Sequence, residues 1–450
     1  MEIIKNIINK ISVRSLTVIL FSLSLYFSMP FPVMADSEYD LIHRRINRLE
    51  KELAELKTLL KEKKAENQVI EHRPEKDNKK EVARNAAKPD MFQFKPYGYI
   101  KLDSSYDDSA VNNGDYIIYI PSEVSVRNDN EFNMTARQTR FGLDISAPYF
   151  RDWSTKGKVE IDFYGNGPAV HENKGEIVMR HAFLEMRKGN LEILAGQTWD
   201  VISPLNPSTL NYTVGWGGGN IGYRRPQIRL SYDTDKNKPM AVSAEFALAR
   251  TSGLTNEDLD GGGQNDGEDS GLPTMQARMA IAAELTGKRR GVFGISGHYG
   301  KEEVDWAGSE KDIKSWSVNC DFTIPFYDRF TLKGEAFMGE NLDDYFGGVI
   351  QGINTVSQKE ISSRGMWAQV NFIPVDKWQY NTGFGIDDPD SQDINIGMRD
   401  RNMFYFANAL FELTPPLTLG LEYSHWVTDY KNLDKGKDNR LQFSFIYSWK

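Results

Sequence analysis

Beyond residue 90 the apolar positions recur at every second residue. Phe141, Leu143 and Ile145 alternate with Arg140, Gly142 and Asp144, and Val159, Ile161 and Phe163 with Lys158, Glu160 and Asp162. The same period of two carries Val242/Ala244/Phe246/Leu248, Trp316/Val318/Cys320/Phe322/Ile324 and Leu441/Phe443/Phe445/Tyr447/Trp449. Side chains of a strand point alternately to its two faces, so each run has one apolar and one polar face. The pattern predicts strands near 94–106, 132–147, 157–165, 177–188, 190–199, 224–233, 240–250 and 275–286, then near 291–304, 311–325, 329–340, 360–373, 377–387, 399–413, 417–429 and 438–449. In 177–188 and 399–413 both faces mix polar and apolar residues, and their facing is left open.

The connections separate two rims. Lys188-Gly189, Pro325-Phe326-Tyr327-Asp328, Pro374-Val375-Asp376 and Thr414-Pro415-Pro416 read as tight turns, and between them lie long polar segments at 107–131, 200–223, 251–274, 341–359 and 388–398. Alternating short and long connections are how a membrane barrel keeps a periplasmic and an extracellular rim apart. Strands of about 9–11 residues cross a bilayer when tilted, and closure satisfies their backbone groups without water. An even strand count returns both chain ends to one side.

The period changes upstream. Tyr39, Ile46, Leu53 and Leu60 take heptad positions a, with Ile42, Leu49 and Leu56 at d, a seam for self-association. Within it Arg45-Ile46-Asn47-Arg48-Leu49-Glu50 fits the trimer-specifying pattern Arg-h-x-x-h-Glu, with an ordinary two-stranded coil as the alternative. The stretch from His72 to Pro89 is charged and aperiodic, as a flexible spacer is. At the N-terminus Lys5, Lys10 and Arg14 precede an apolar run from Leu16 to Phe27, then Pro30, Pro32 and Val33-Met34-Ala35. That is an export signal with cleavage expected after Ala35. The divisions are therefore 1–35 signal peptide, 36–66 periplasmic coiled coil, 67–93 linker and 94–450 barrel. The fold class is all-β: a 16-stranded antiparallel transmembrane β-barrel preceded by a short N-terminal α-helical coiled coil.

Composition agrees with strands that need only half their residues apolar. The 450 residues are 26% charged and 12% aromatic with 37 glycines, and the mean hydropathy is -0.51. The single cysteine, Cys320, excludes an intramolecular disulfide framework and a multi-thiolate metal site. The net charge of -9 argues against nucleic acid as a partner. No nucleophile elbow, phosphate loop or HExxH motif is present, so an enzyme, a cofactor and a metal centre find no support.

One stretch departs from every period. From Gly196 to Asp233 a strand end leads into about two dozen irregular residues with Pro204, Pro207 and the triple glycine 217–219, then into a second strand. Long irregular loops between strands are uncommon unless functional. The expectation is a constriction loop folded into the bore, with Trp199, Asp200, Asn206, Tyr212 and Trp216; the alternative is a surface excursion. Sixteen strands leave an aqueous lumen. By parity its wall includes Arg140, Asp144, Lys158, Glu160, Asp162, Gln227, Arg229, Glu245, Gln276, Arg278, Glu284, Lys333, Glu335, Asn381, Glu422, Arg440 and Gln442, with both signs of charge.

Six stretches resemble the DcaP-like family of trimeric outer-membrane porins: Ala136 to Gly142 (ARQTRFG), Gly196 to Trp199 (GQTW), Pro204 to Pro207 (PLNP), Gly334 to Phe337 (GEAF), Gly385 to Pro389 (GIDDP) and Leu421 to Tyr423 (LEY). The similarity spans about 94–449. It implies a sixteen-stranded barrel with a periplasmic coiled coil, a homotrimer in the outer-membrane bilayer, and uptake of small anionic solutes, notably dicarboxylates, through an eyelet with a basic wall. Arg140 lies in a matching motif and on the bore face; Arg229 and Arg278 rest on parity, and the facing of Arg137 and Arg180 is open. A guanidinium suits a carboxylate because its fork binds both oxygens. The competing role for each arginine is a salt bridge to an acid on a neighbouring strand. Lys450 departs from the aromatic ending usual in outer-membrane barrels, and bore acids such as Glu160, Glu245 and Glu284 weigh against strong anion selectivity. Rival functions are a general or sugar-preferring channel, suggested by Trp199, Tyr212, Trp216 and Tyr223, and a structural barrel anchoring the coiled coil. The acidic segment Asp258 to Asp269 offers calcium ligands without a recognised spacing and reads as a solvated loop. His171, His181, His298 and His425 show no paired spacing.

Overall fold

The computed structural model describes residues 91–450 apart from 126–128, 166–174, 236–237, 252–257, 262, 264, 286–288 and 307. The export signal, the heptad seam with Arg45, Ile46, Leu49 and Glu50, the spacer and His171 lie outside the described residues.

The chain passes through β1 (Gln93–Asp107), β2 (Glu131–Thr135), β3 (Arg140–Phe150), β4 (Trp153–Asp162), β5 (Val178–Lys188), β6 (Leu191–Trp199), β7 (Arg224–Asp233), β8 (Met240–Ala249) and β9 (Thr274–Glu284). It continues through β10 (Arg290–Trp306), β11 (Ser309–Phe326), β12 (Phe330–Glu340), β13 (Ile353–Asn354), β14 (Lys359–Glu360), β15 (Ser362–Phe372), β16 (Trp378–Pro389), β17 (Arg399–Thr414), β18 (Leu417–Tyr430) and β19 (Leu433–Trp449). Strands that follow one another in the wall pair antiparallel, and β1 closes the sheet on β19, with Gly98 opposite Trp449 and Asp107 opposite Arg440. The β13–β14 hairpin stands apart from the wall. Both β2 and β3 pair with β1, at its upper and lower halves, so they are one wall strand interrupted at 136–139. Counted so, the wall is a closed barrel of sixteen strands.

The period of two decides which face is wet. On β1 Lys101, Asp103, Ser105 and Asp107 are buried inside, while Ile100, Leu102 and Tyr106 are exposed outside. Ile228, Leu230 and Tyr232 on β7, and Leu441, Phe445 and Tyr447 on β19, continue the outer apolar surface. So large an exposed apolar area fits lipid, not water. Near the short-turn rim, Phe326, Phe330, Phe372, Tyr380, Trp378 and Phe411 form a continuous aromatic run with successive centroids 4.4–6.3 Å apart. Such girdles mark a membrane interface.

The opposite rim differs from expectation in two ways. Two of its connections are tight, after β10 and after β18, because those strands are long enough to build the rim themselves. Parts of the 107–131 and 341–359 segments, read as rim, instead fold into the bore beside 200–223. Val111, Ile117 and Ile120 pack on Phe404, Phe406 and Trp426. Ile202 and Ile221 pack on Phe337, Leu342 and Tyr345. Tyr116, Ile118 and Tyr164 form a third cluster. With lipid outside, these inner clusters are where apolar side chains leave water.

Candidate functional site

The segment 200–223 bonds to inward side chains of the barrel wall, and its course explains most of the buried polar wall. At its root the Asp200 amide donates to the Tyr223 carbonyl (2.8 Å), and the Asp200 carboxylate accepts from the Tyr223 amide (2.9 Å) and from Gln276 Nε2 (2.7 Å). Arg225 pairs with the same carboxylate at 2.9 Å. From there the loop circles the wall. The Val201 amide donates to Gln276 Oε1 (2.8 Å), that of Leu205 to Glu335 Oε1 (2.7 Å), that of Ser208 to Gln369 Oε1 (2.6 Å) and that of Leu210 to Glu422 Oε2 (2.7 Å). Lys333 Nζ reaches the Asn206 carbonyl (2.7 Å), Asn408 Nδ2 that of Ser208 (2.7 Å), and Lys101 Nζ and Gln442 Nε2 that of Leu210 (both 3.1 Å). A loop buried in a bore must pair its backbone groups; here the inward polar residues of the far strands pair them.

The loop then interlocks with its neighbours. Asn211 Nδ2 donates to the Ile117 carbonyl (2.9 Å), the Gly217 amide to Phe346 (2.9 Å) and the Gly222 amide to Tyr345 (2.8 Å). Gly219 has φ +108°, and a Cβ there would lie 2.2 Å from the Met366 carbonyl oxygen, so the loop's approach to β15 needs glycine. Trp216 stacks on Phe346 at 4.3 Å and Tyr212 on Tyr164 at 3.8 Å. Burial pushes the hydroxyl of Tyr116 up to about 12 and raises those of Tyr212 and Tyr345, so all three stay neutral.

Opposite this loop-covered wall, β3 to β5 hold a charge cluster. Arg180 donates to Glu160 Oε1 (2.8 Å) and Asp162 Oδ2 (2.7 Å). Arg140 stands on the same two carboxylates at the looser distances of 3.5 and 3.7 Å. Tyr97 donates its hydroxyl to Glu160 (2.8 Å), and Lys158 bridges Tyr97 and Asp144. The side chains of Arg140 and Lys158 are 20% and 31% exposed, whereas that of Asp162 is 0% exposed. Arg137 leaves the break between β2 and β3 to pair with Asp115 at 2.5 Å, tying the wall to segment 108–130.

The predicted arginines thus fall into two groups. Arg137, Arg140 and Arg180 gather on one wall with Glu160 and Asp162. Arg229 and Arg278 sit on another: Arg278 clamps Asp321 with two bonds (2.7 and 3.0 Å), Arg229 binds Gln227 and the Trp199 carbonyl, and Glu245 lies 3.7–3.9 Å from both. Glu284 belongs to neither, being exposed at the turn end of β9. Among the loop residues, Asp200 is the root anchor, Asn206 accepts from Asn220 (3.0 Å), and Trp199 stands at the β6 end, 6.3 Å from Trp216. Sequence reasoning missed Arg224 and Arg225. Adjacent residues at a strand entrance point different ways, and that pair was the available signal. Arg225 lies over the Tyr345 ring at 4.0 Å and donates to the Thr251 carbonyl at 2.8 Å.

The model of the DcaP outer membrane protein family matches residues 36–265. This chain belongs to the DcaP outer membrane protein family. It is an outer-membrane protein, and both the family and the barrel point to a channel and away from an enzyme. Among solved structures it resembles the outer membrane channel DcaP of Acinetobacter baumannii, with 20% identity over 80% of this chain and 98% of that one and a TM-score of 0.62, a likeness of fold. Looser likenesses are to the trimer form of OmpT of Vibrio cholerae (12% identity, 80% and 100% coverage, TM-score 0.48) and to an anion-selective porin from Comamonas acidovorans (9% identity, 80% and 100% coverage, TM-score 0.48). No curated protein sequence matches the chain.

Proposed function

We propose that this DcaP-family channel passes small organic acids, dicarboxylate-like anions above all, by diffusion past a basic wall on β3 to β5, as a homotrimer joined through the 36–66 coiled coil. The observation that supports the substrate class is the inequality between Arg140 and Arg180. Arg180 is held tightly by both acids. Arg140 is partly open and meets them only loosely. Its donors are the ones left for a passing carboxylate, which an arginine fork binds well. Glu160 and Asp162 offset part of the local positive charge, so the selectivity is modest and solutes leave readily.

A sugar-preferring channel gains less support. Of the four aromatics that suggested it, Trp216 and Tyr212 use their faces on Phe346 and Tyr164, and Trp199 and Tyr223 use theirs on Arg224.

The test is a planar bilayer with a potassium chloride gradient and succinate as blocker. The wild type shows a reversal potential of anionic sign and succinate-dependent block. Arg140→Ala moves the potential toward zero and weakens the block about tenfold, the size of one charge-assisted contact. A cation-selective wild type that ignores succinate overturns the reading.

A further inference from the structure

Arg137, Arg140, Arg180, Arg229 and Arg278 each have a carboxylate within 3.7 Å. Arg224 does not. Its side chain is buried, with the residue 2% exposed, and Nε, Nη1 and Nη2 all lack a hydrogen-bond acceptor. Aromatic rings hold it: Tyr223 at 4.4 Å, Trp199 at 4.6 Å and Trp216 at 5.9 Å from the guanidinium carbon. Ring faces attract a cation, yet they bond with its faces and leave the N–H edge unsatisfied. A buried guanidinium without an anion is costly, so a site that keeps one is arranged for an anion. Its electrostatic neighbours are Arg180, Tyr212, Tyr223 and Asp162, which puts it beside the β3–β5 cluster; Asp162 is already bonded to Arg180. Tyr223 and Trp199 are half-buried, so rotation of either side chain is the way in.

We propose that Arg224 is an anion-binding residue of the constriction, taking one carboxylate of an organic acid on its N–H edge between Trp199 and Tyr223. This rests on the organic-acid reading above and adds to it a second, recessed contact. A dicarboxylate then has one anchor at Arg140 and another at Arg224, whereas a monocarboxylate uses one at a time. Because the guanidinium has no hydrogen-bond acceptor of its own, removing its charge does not destabilise the barrel in the absence of succinate.

The experiment uses the full-length protein purified in detergent and then in planar bilayers, with succinate and acetate as probes and chloride as the background anion. Wild type, Arg224→Gln and Arg224→Lys are compared by thermal midpoint with and without succinate, and by block of single-channel current. The expected result is an unchanged or raised midpoint for Arg224→Gln without ligand, and loss of the succinate-induced rise. Its succinate block weakens roughly tenfold, with acetate affected less. Arg224→Lys, which keeps the charge without the fork, recovers part of the block. If wild type and Arg224→Gln are blocked equally, the inference fails while the organic-acid reading stands; if the wild type is not blocked at all, that reading fails first. A lowered midpoint for Arg224→Gln with block intact makes Arg224 a cation–π staple and also overturns the inference.

Discussion

Two walls of this barrel are built from the same alternation and end in different states. From β9 round to β19 the inward polar residues, among them Gln276, Glu335, Gln369, Asn408, Glu422 and Gln442, are buried because segment 200–223 binds them. On β3 to β5 the inward residues pair with each other, and Arg140 and Lys158 keep part of their surface. A polar side chain that points inward is thus of two kinds: bound to segment 200–223, or paired within the wall; on the proposed function the first is scaffold for the constriction and the second lines the path. Parity separates lipid from lumen and cannot separate these two.

The largest effect expected from this division is on conductance. Replacing 201–222 by a short Gly/Ser turn removes the constriction and raises single-channel conductance severalfold in a bilayer recording; an unchanged conductance means the loop does not limit flow. Next come the anchors. Arg180→Ala strips two buried carboxylates of their tight partner and costs about 3–5 kcal/mol in detergent unfolding. Glu422→Ala leaves the Leu210 amide, the Thr209 hydroxyl and Asn408 without their acceptor. At about 1 kcal/mol or more for each buried donor, that costs about 3 kcal/mol. The two variants differ in character: Glu422→Ala frees the loop and adds current noise, whereas Arg180→Ala leaves the loop in place. If both add the same noise, the walls are not distinct.

The smallest effect lies outside both walls. Burial, with Asp260 and Asp258 adding to it, pushes the Asp266 carboxyl up to about 6. A carboxyl raised above its unfolded value stabilises the fold when protonated, and that contribution is lost as the pH rises through about 6. Proteolysis within the 250–273 connection is therefore slower at pH 5 than at pH 7.5, and Asp266→Asn flattens the dependence. An equally steep dependence in Asp266→Asn removes this carboxyl as the cause.

The sequence carried the architecture well because a period of two, read over sixteen segments, needs no long-range information. Phe443, Phe445, Tyr447 and Trp449 announce the closing strand, and Arg140 faces inward because Phe141 faces lipid. Arg137 and Arg180 were not legible in the same way. Arg137 sits where the wall strand breaks at 136–139, and the register shifts between Glu160 and Ile161 opposite β5, so that Arg180 and His181 both reach Glu160. At such irregularities the parity rule has no content. The anchors of segment 200–223 lie up to 232 residues away along the chain, beyond any local pattern. Arg224 escaped notice because nothing in a sequence shows that a charge lacks a partner.

The measurement that most directly tests the division is thiol labelling in a Cys320→Ala background, with Lys158→Cys and Gln369→Cys as the two probes and current as the readout. A charged, water-soluble methanethiosulfonate reduces current through Lys158→Cys channels within minutes and leaves Gln369→Cys channels unaffected. Rapid modification and block at position 369, with none at 158, would contradict the account.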